Sequence, residues 1–148
     1  MTNNTAYNNS RYGIVVRNNS DVVGNTSYSN SIGIQTLAFQ LYTGDIENNL
    51  VYANANQGIV VNRAGAGGVV ANNTVFQEVG DALRVQDSSA SLLVRNNILW
   101  SSSGYVINIA SDSQVGFDSD FNLFYATDTA KLGLWNGVEF TDRTDWFY

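Results

Sequence analysis

Residues 49–62 read NLVYANANQGIVVN, residues 73–86 read NTVFQEVGDALRVQ and residues 97–110 read NILWSSSGYVINIA. Laid beneath one another, they agree in residue type at a few fixed positions. An Asn opens each, an aliphatic side chain follows two residues on and an aromatic three on, and an apolar pair returns at positions ten and twelve. Working outward, the Asn marker recurs as Asn4, Asn25, Asn49, Asn73, Asn97 and Asn122, at spacings of 21, 24, 24, 24 and 25 residues. Its aromatic companion recurs as Tyr7, Tyr28, Tyr52, Phe76, Trp100 and Tyr125. Two dozen residues cannot bury an apolar face alone, so a repeat of this length predicts units that stack.

Within each unit three short apolar stretches are separated by Asn- and Gly-rich turns. The longest reads Gly13-Ile14-Val15-Val16, Gly33-Ile34-Gln35-Thr36, Gly58-Ile59-Val60-Val61, Ala82-Leu83-Arg84-Val85 and Val106-Ile107-Asn108-Ile109 in successive units. Another lies just before the next marker, as Val22-Val23, Asp45-Ile46-Glu47, Val69-Val70-Ala71, Leu92-Leu93-Val94 and Val115-Gly116-Phe117. The apolar positions alternate, and Gly and Asn recur where they would break a helix, so these are strands. Equivalent strands of successive units should pair in parallel. Val51, Ile59, Val61, Val75, Leu83, Val85, Leu99, Ile107 and Ile109 should then point into a common bore. The expected architecture is all-β: a right-handed, three-sheet parallel β-helix of about six coils over residues 1–125. Residues 126–148 break the repeat and are expected to cap its C-terminal end, with Leu132, Leu134, Trp135, Phe140, Trp146 and Phe147 as covering side chains.

The Asn-Asn-x-Val-aromatic and Gly-Ile-x-Val phrases resemble the parallel β-helix repeat of pectate-lyase-like and carbohydrate-binding or sugar-hydrolase proteins, from Asn3 to about Tyr125. The tail (Ser119 to Tyr125, then Gly133-Leu134-Trp135 and Asp145-Trp146) also resembles the region where such proteins leave their regular coils. The resemblance implies an extracellular or cell-surface setting within a larger carbohydrate-active protein. The fold itself serves lyases, hydrolases, epimerases, binders and adhesins, so function must be argued from the site.

Composition narrows the chemistry. Thirteen Asp and Glu against seven Lys and Arg give a net charge of -6, the wrong sign for nucleic acid or an anionic membrane. No Cys or His is present, which excludes disulfides, Cys/His zinc centres, Ser-His-Asp triads and an imidazole base. Carboxylates, Arg, Lys131, Tyr and hydroxyls remain. The first residues, MTNNTAYNNS, lack the charged start and apolar stretch of a signal peptide.

Four groups of residues are candidates for function. The Asn column fits a ladder of amides hydrogen-bonded between coils. The aromatic column, with Tyr28, Tyr52, Phe76 and Trp100 as candidate ligand-binding residues, should face outward and either stack on itself or offer a platform to sugar rings. On the outer face of the longest strands, Asp81, Arg84 and Asp87 form a charged cluster; as catalytic residues they would serve a polysaccharide lyase or glycoside hydrolase. Asp112, Asp118 and Asp120 are the carboxylates that could offer oxygen ligands to Ca²⁺, although no cofactor is implied by any recognisable motif. The leading expectation is a polysaccharide-binding, catalytically incomplete module. A rival is a structural or adhesive solenoid forming homo-oligomers through its uncapped N-terminal coil.

Overall fold

The computed structural model describes residues 1–146. Its strands form three parallel sheets. The six-stranded sheet stacks β1 (Thr5–Tyr7), β4 (Thr26–Tyr28), β7 (Leu50–Tyr52), β10 (Thr74–Gln77), β13 (Ile98–Ser101) and β16 (Leu123–Ala126). The seven-stranded sheet stacks β2 (Tyr12–Val16), β5 (Ile32–Thr36), β8 (Gln57–Asn62), β11 (Leu83–Gln86), β14 (Tyr105–Ile109) and β17 (Lys131–Trp135), and closes with an antiparallel β18 (Val138–Phe140). The five-stranded sheet stacks β3 (Val22–Val23), β6 (Asp45–Glu47), β9 (Val69–Ala71), β12 (Leu93–Arg95) and β15 (Asp118–Asp120). Consecutive strands visit the three sheets in rotation, giving five complete coils and a partial sixth. A four-residue helix, α1 (Arg143–Trp146), follows β18.

The bore is lined as the alternation predicts. Val51, Val75 and Leu99 stand in register, as do Ile59, Leu83 and Ile107, and Val61, Val85 and Ile109. All nine are fully buried. Each such side chain contributes roughly 1.5–3 kcal/mol of burial, offsetting the entropy of ordering the turns. The small residue at the head of the long strand is a packing requirement: a Cβ on Gly58 would sit 2.5 Å from Val75 Cγ1 and 2.6 Å from the Ala82 carbonyl oxygen.

The Asn-Asn pair divides two tasks. Asn48, Asn72 and Asn96 each take φ 56, the left-handed region Asn tolerates, and so turn the chain between the five- and six-stranded sheets. The next residue carries the ladder. Asn49 donates its backbone N–H and its amide to Oδ1 of Asn73, at 3.0 and 2.9 Å, and Asn73 does the same to Asn97, at 3.0 Å for both. The ladder runs unbroken from Asn4 to Asn122. A second ladder, not foreseen in the repeat, passes through Asn9, Asn30, Asn54 and Gln77 on the other flank of the six-stranded sheet.

Two strands of the five-stranded sheet lie further along than the apolar runs suggest. β12 starts at Leu93 rather than Leu92, and β15 is Asp118–Asp120 rather than Val115-Gly116-Phe117. The last full coil carries an extra residue, and Gly116 at φ 66 and the exposed Val115 sit in the preceding turn. Counting back four residues from each marker, Asn97 and Asn122, finds both strand starts. After Ala126 the tail adds β17 in register on β14 before turning back, with Leu132 buried and Trp135 packed against the core and 5.7 Å from the Phe117 ring. Phe147 and the side chain of Trp146 fall outside the described residues.

Candidate functional site

Two outer faces carry the candidate residues. On the six-stranded sheet, positions one and three residues after each marker point outward, flanked for most of the length by the two Asn ladders. The aromatic column behaves differently in its two halves. Tyr7, Tyr28 and Tyr52 stack nearly parallel, with centroids 5.2 and 5.0 Å apart and interplanar angles of 4° and 7°. Ring faces in this half are spent on one another. Phe76 and Trp100 meet at 4.3 Å but tilted by 47°, and Trp100 and Tyr125 meet edge-on at 5.5 Å and 65°. The indole Nε1 donates to Thr127 Oγ1 at 3.0 Å, which fixes the Trp100 ring. The change comes at the coil where the second ladder ends: Gln77 is its last rung, and the next coil has Ser101, bonded to the Gly80 and Ser103 carbonyl oxygens.

Around this tilted half the surface is apolar. Trp100 and Tyr125 are exposed, as are Ile98 and Leu123 on the adjacent outward row and Phe121 at the head of β16. Phe121 departs from the pattern of the turn. The place held by Asn48, Asn72 and Asn96 is taken by a bulky side chain at φ 56 that is 73% exposed. A non-Gly, non-Asn residue there costs roughly 1–2 kcal/mol, and strain of this kind concentrates at functional positions.

The second face is that of the seven-stranded sheet. Asp81 and Arg84 are brought together and Asp87 is not. Asp81 lies 5% exposed beside β11; Oδ1 accepts the Tyr105 backbone N–H at 2.9 Å, while Oδ2 accepts the Asn108 amide at 2.9 Å and faces Arg84 Nη1 at 3.4 Å. Burial pushes its carboxyl above the usual range, opposed by these three partners. Asp87 sits in the exposed turn beyond the far end of β11, at φ 59. Six residues of extended chain separate the two carboxylates by roughly 15–20 Å at strand rise, beyond the roughly 5–9.5 Å of a glycosidase pair. With every contact of Asp81 already a donor, its role is to hold its neighbours.

Side chains from four strands extend this cluster. Arg84 Nε donates to Gln86 Oε1 at 2.6 Å, Gln86 Nε2 to Asn62 Oδ1 at 2.9 Å, and Asn62 Nδ2 to the Thr36 carbonyl oxygen at 2.5 Å. Asn62 and Asn108 are buried although both lie on an outward row. Beyond Asn108, the Tyr105 hydroxyl donates to Glu139 Oε1 at 2.6 Å, and Lys131 pairs with Glu139 Oε2. None of Tyr105, Lys131 and Glu139 stands out in the sequence, because β18 turns back onto β17 to bring the carboxylate there.

The three acidic residues considered for Ca²⁺ are not gathered. Asp112 accepts from Ser88 N and Ser113 Oγ, Asp118 pairs with Arg95 at 2.5 Å, and Asp120 accepts from Phe121 N. Among the described residues no group of three His, Cys, Asp or Glu side chains is arranged to hold a metal.

The coil geometry and the comparison with known families agree. The model of the right-handed β-helix region matches residues 1–124. The chain belongs to the right-handed β-helix family. No curated protein and no solved structure matched this β-helix.

Proposed function

We propose that this β-helix is a polysaccharide-binding module of the extracellular or cell-surface type, holding a glycan along the outer face of its six-stranded sheet. The observation that carries the reading is the tilt of the aromatic column at Phe76, Trp100 and Tyr125, which leaves ring faces open where the Tyr7–Tyr28–Tyr52 stack closes them. Sugar rings present apolar faces that pack on aromatic faces, and exposed apolar patches of this size mark binding sites. The coil repeat of roughly 4.8 Å is close to the rise of one pyranose in an extended glycan, so a chain lying along the axis meets equivalent outward positions coil after coil. Binding without cleavage follows from Asp81, whose oxygens are all occupied by internal donors.

Native electrophoresis through gels cast with neutral and acidic polysaccharides tests this directly. Retardation is expected in at least one neutral gel, without clearing on staining. Trp100→Ala and Tyr125→Ala should each weaken affinity roughly tenfold, equivalent to about 1.4 kcal/mol. Tyr28→Ala, inside the closed stack, should leave the retardation in place. Clearing of the gel would establish an enzyme, and unchanged mobility in every gel would leave a structural solenoid.

A further inference from the structure

We propose that Arg84 forms a second recognition site, on the outer face of the seven-stranded sheet, for a carboxylate group of a ligand. Three features of the arrangement lead there. First, the guanidinium is fixed at two points: Nε is bonded to Gln86, and Nη1 is paired with Asp81. Both anchors are themselves anchored, Gln86 through Asn62 to Thr36, and Asp81 by Asn108 and the Tyr105 N–H. A side chain with several rotatable bonds therefore meets its ligand already ordered, which removes most of the entropy cost of binding. Second, the group is accessible. The Arg84 side chain is 37% exposed, whereas Val60 beside it in the sheet and Asn108 on its other side are buried.

Third, the hydrogen-bond inventory selects the ligand. The acceptors along the relay (both Asp81 oxygens, Gln86 Oε1, Asn62 Oδ1) are consumed internally. What remains on Arg84 is donors only: Nη2 has no partner among the described residues, and Nη1 has one N–H beyond the bond to Asp81. A sugar hydroxyl or an amide would waste its own donor on such a surface. A carboxylate is acceptor-only, planar and matched to the spacing of two guanidinium nitrogens. Asp81 weakens the site's net charge, but its own charge is shared among three donors below the guanidinium, and its geometric effect is to aim Arg84 outward.

The carboxylate could belong to an acidic saccharide or to a free small acid, and calorimetric titration of the full chain separates them. The probes are a uronic-acid trisaccharide, the same trisaccharide as its methyl ester, and propionate. The acid trisaccharide is expected to bind at least tenfold tighter than the ester. Binding of propionate to a similar extent would identify a small acid as sufficient; its failure beside a binding trisaccharide would identify the saccharide. Arg84→Gln should abolish acid binding without moving the melting temperature, because the side chain lies outside the bore. Arg84→Lys should retain less than a tenth of the affinity, since it keeps the charge but loses the fork and the Nε bond. Equal binding of acid and ester, binding that survives Arg84→Gln, or no binding of either acid overturns the proposal. None of those results touches the aromatic-face reading, which is scored on neutral polysaccharide with Trp100 and Tyr125.

Discussion

At the scale of single residues, neighbouring amides do unlike things. Asn72 bends the chain at φ 56, while Asn73, 1% exposed, satisfies its whole amide: Oδ1 accepts two bonds from Asn49 and Nδ2 donates to the Ile46 carbonyl oxygen and to Asn97. Removing it leaves a buried N–H and a buried carbonyl without partners. Asn73→Ala should therefore cost about 3 kcal/mol, and Asn4→Ala, on the exposed first rung, less than about 1 kcal/mol, both read from urea unfolding midpoints. Phe121 inverts the argument. Phe121→Asn restores the residue type found at Asn48, Asn72 and Asn96, relieves the left-handed strain and should raise stability by about 1 kcal/mol. If the exposed ring serves the glycan face, the same variant loses retardation in the polysaccharide gel, and a stabilised protein with undiminished binding would remove Phe121 from the site. The marker Asn and its aromatic were legible because each recurs at one phase with one residue type. The second ladder was not: its rungs fall 21, 24 and 23 residues apart and end in Gln77, whose longer side chain replaces the amide of Asn54 one coil on.

At the scale of elements, the hairpin of β17 and β18 shows where pattern reading stops. Asn136-Gly137, with φ 52 and 75, is a strong two-residue hairpin signal, yet the strands beside it belong to no repeat, and only the folded pairing sets Glu139 against Lys131 and the Tyr105 hydroxyl. That clasp ties β18 to β14 across β17 and should respond to pH at both ends of the scale. The bonds from Lys131 and Tyr105 hold the Glu139 carboxyl below its ordinary range. A depressed acid contributes stability above its unfolded pKa and loses it as pH falls through the folded value, so the hairpin should loosen on acidification below the carboxylate range. The Tyr105 phenol, bonded to Glu139 and partly desolvated, is pushed up to about 12. A raised group stabilises below its unfolded pKa and loses that contribution as pH rises through the folded one. Protection of the β18 amides in hydrogen exchange should accordingly fall between about pH 10 and about pH 12. Tyr105→Phe should flatten the alkaline limb and Glu139→Gln both limbs; unchanged profiles would show that the hairpin is held by its backbone pairing alone.

At the scale of the whole molecule, the architecture was the most legible property, because a parallel solenoid writes its geometry as a period and every coil repeats the same demand on the same positions. The bore residues predicted from that period are all buried; the strand misplaced in the last full coil was misplaced because one extra residue shifts an apolar run into a turn. Stability in such a molecule is a sum over coils and their nearest neighbours, so the same substitution should cost different amounts at different heights. Val16 and Val85 allow a like-for-like test: both are Val, both stand twelve residues after their marker, and both face the bore. Val85 is packed between Val61 on one side and Ile109 on the other, whereas Val16, in the first coil, pairs only with Thr36. Val85→Ala leaves a cavity closed on both sides and should cost about 2 kcal/mol. Val16→Ala opens a site that can relax toward the free edge and should cost about half as much. Hydrogen exchange adds the second readout: amides of β1, β2 and β3 should exchange through local fraying, and those of β8, β10 and β11 only with global unfolding. Equal costs for the two Val substitutions, together with uniform exchange from the first coil to the last, would mean that the coils unfold as one block and that the nearest-neighbour description fails for a solenoid this short.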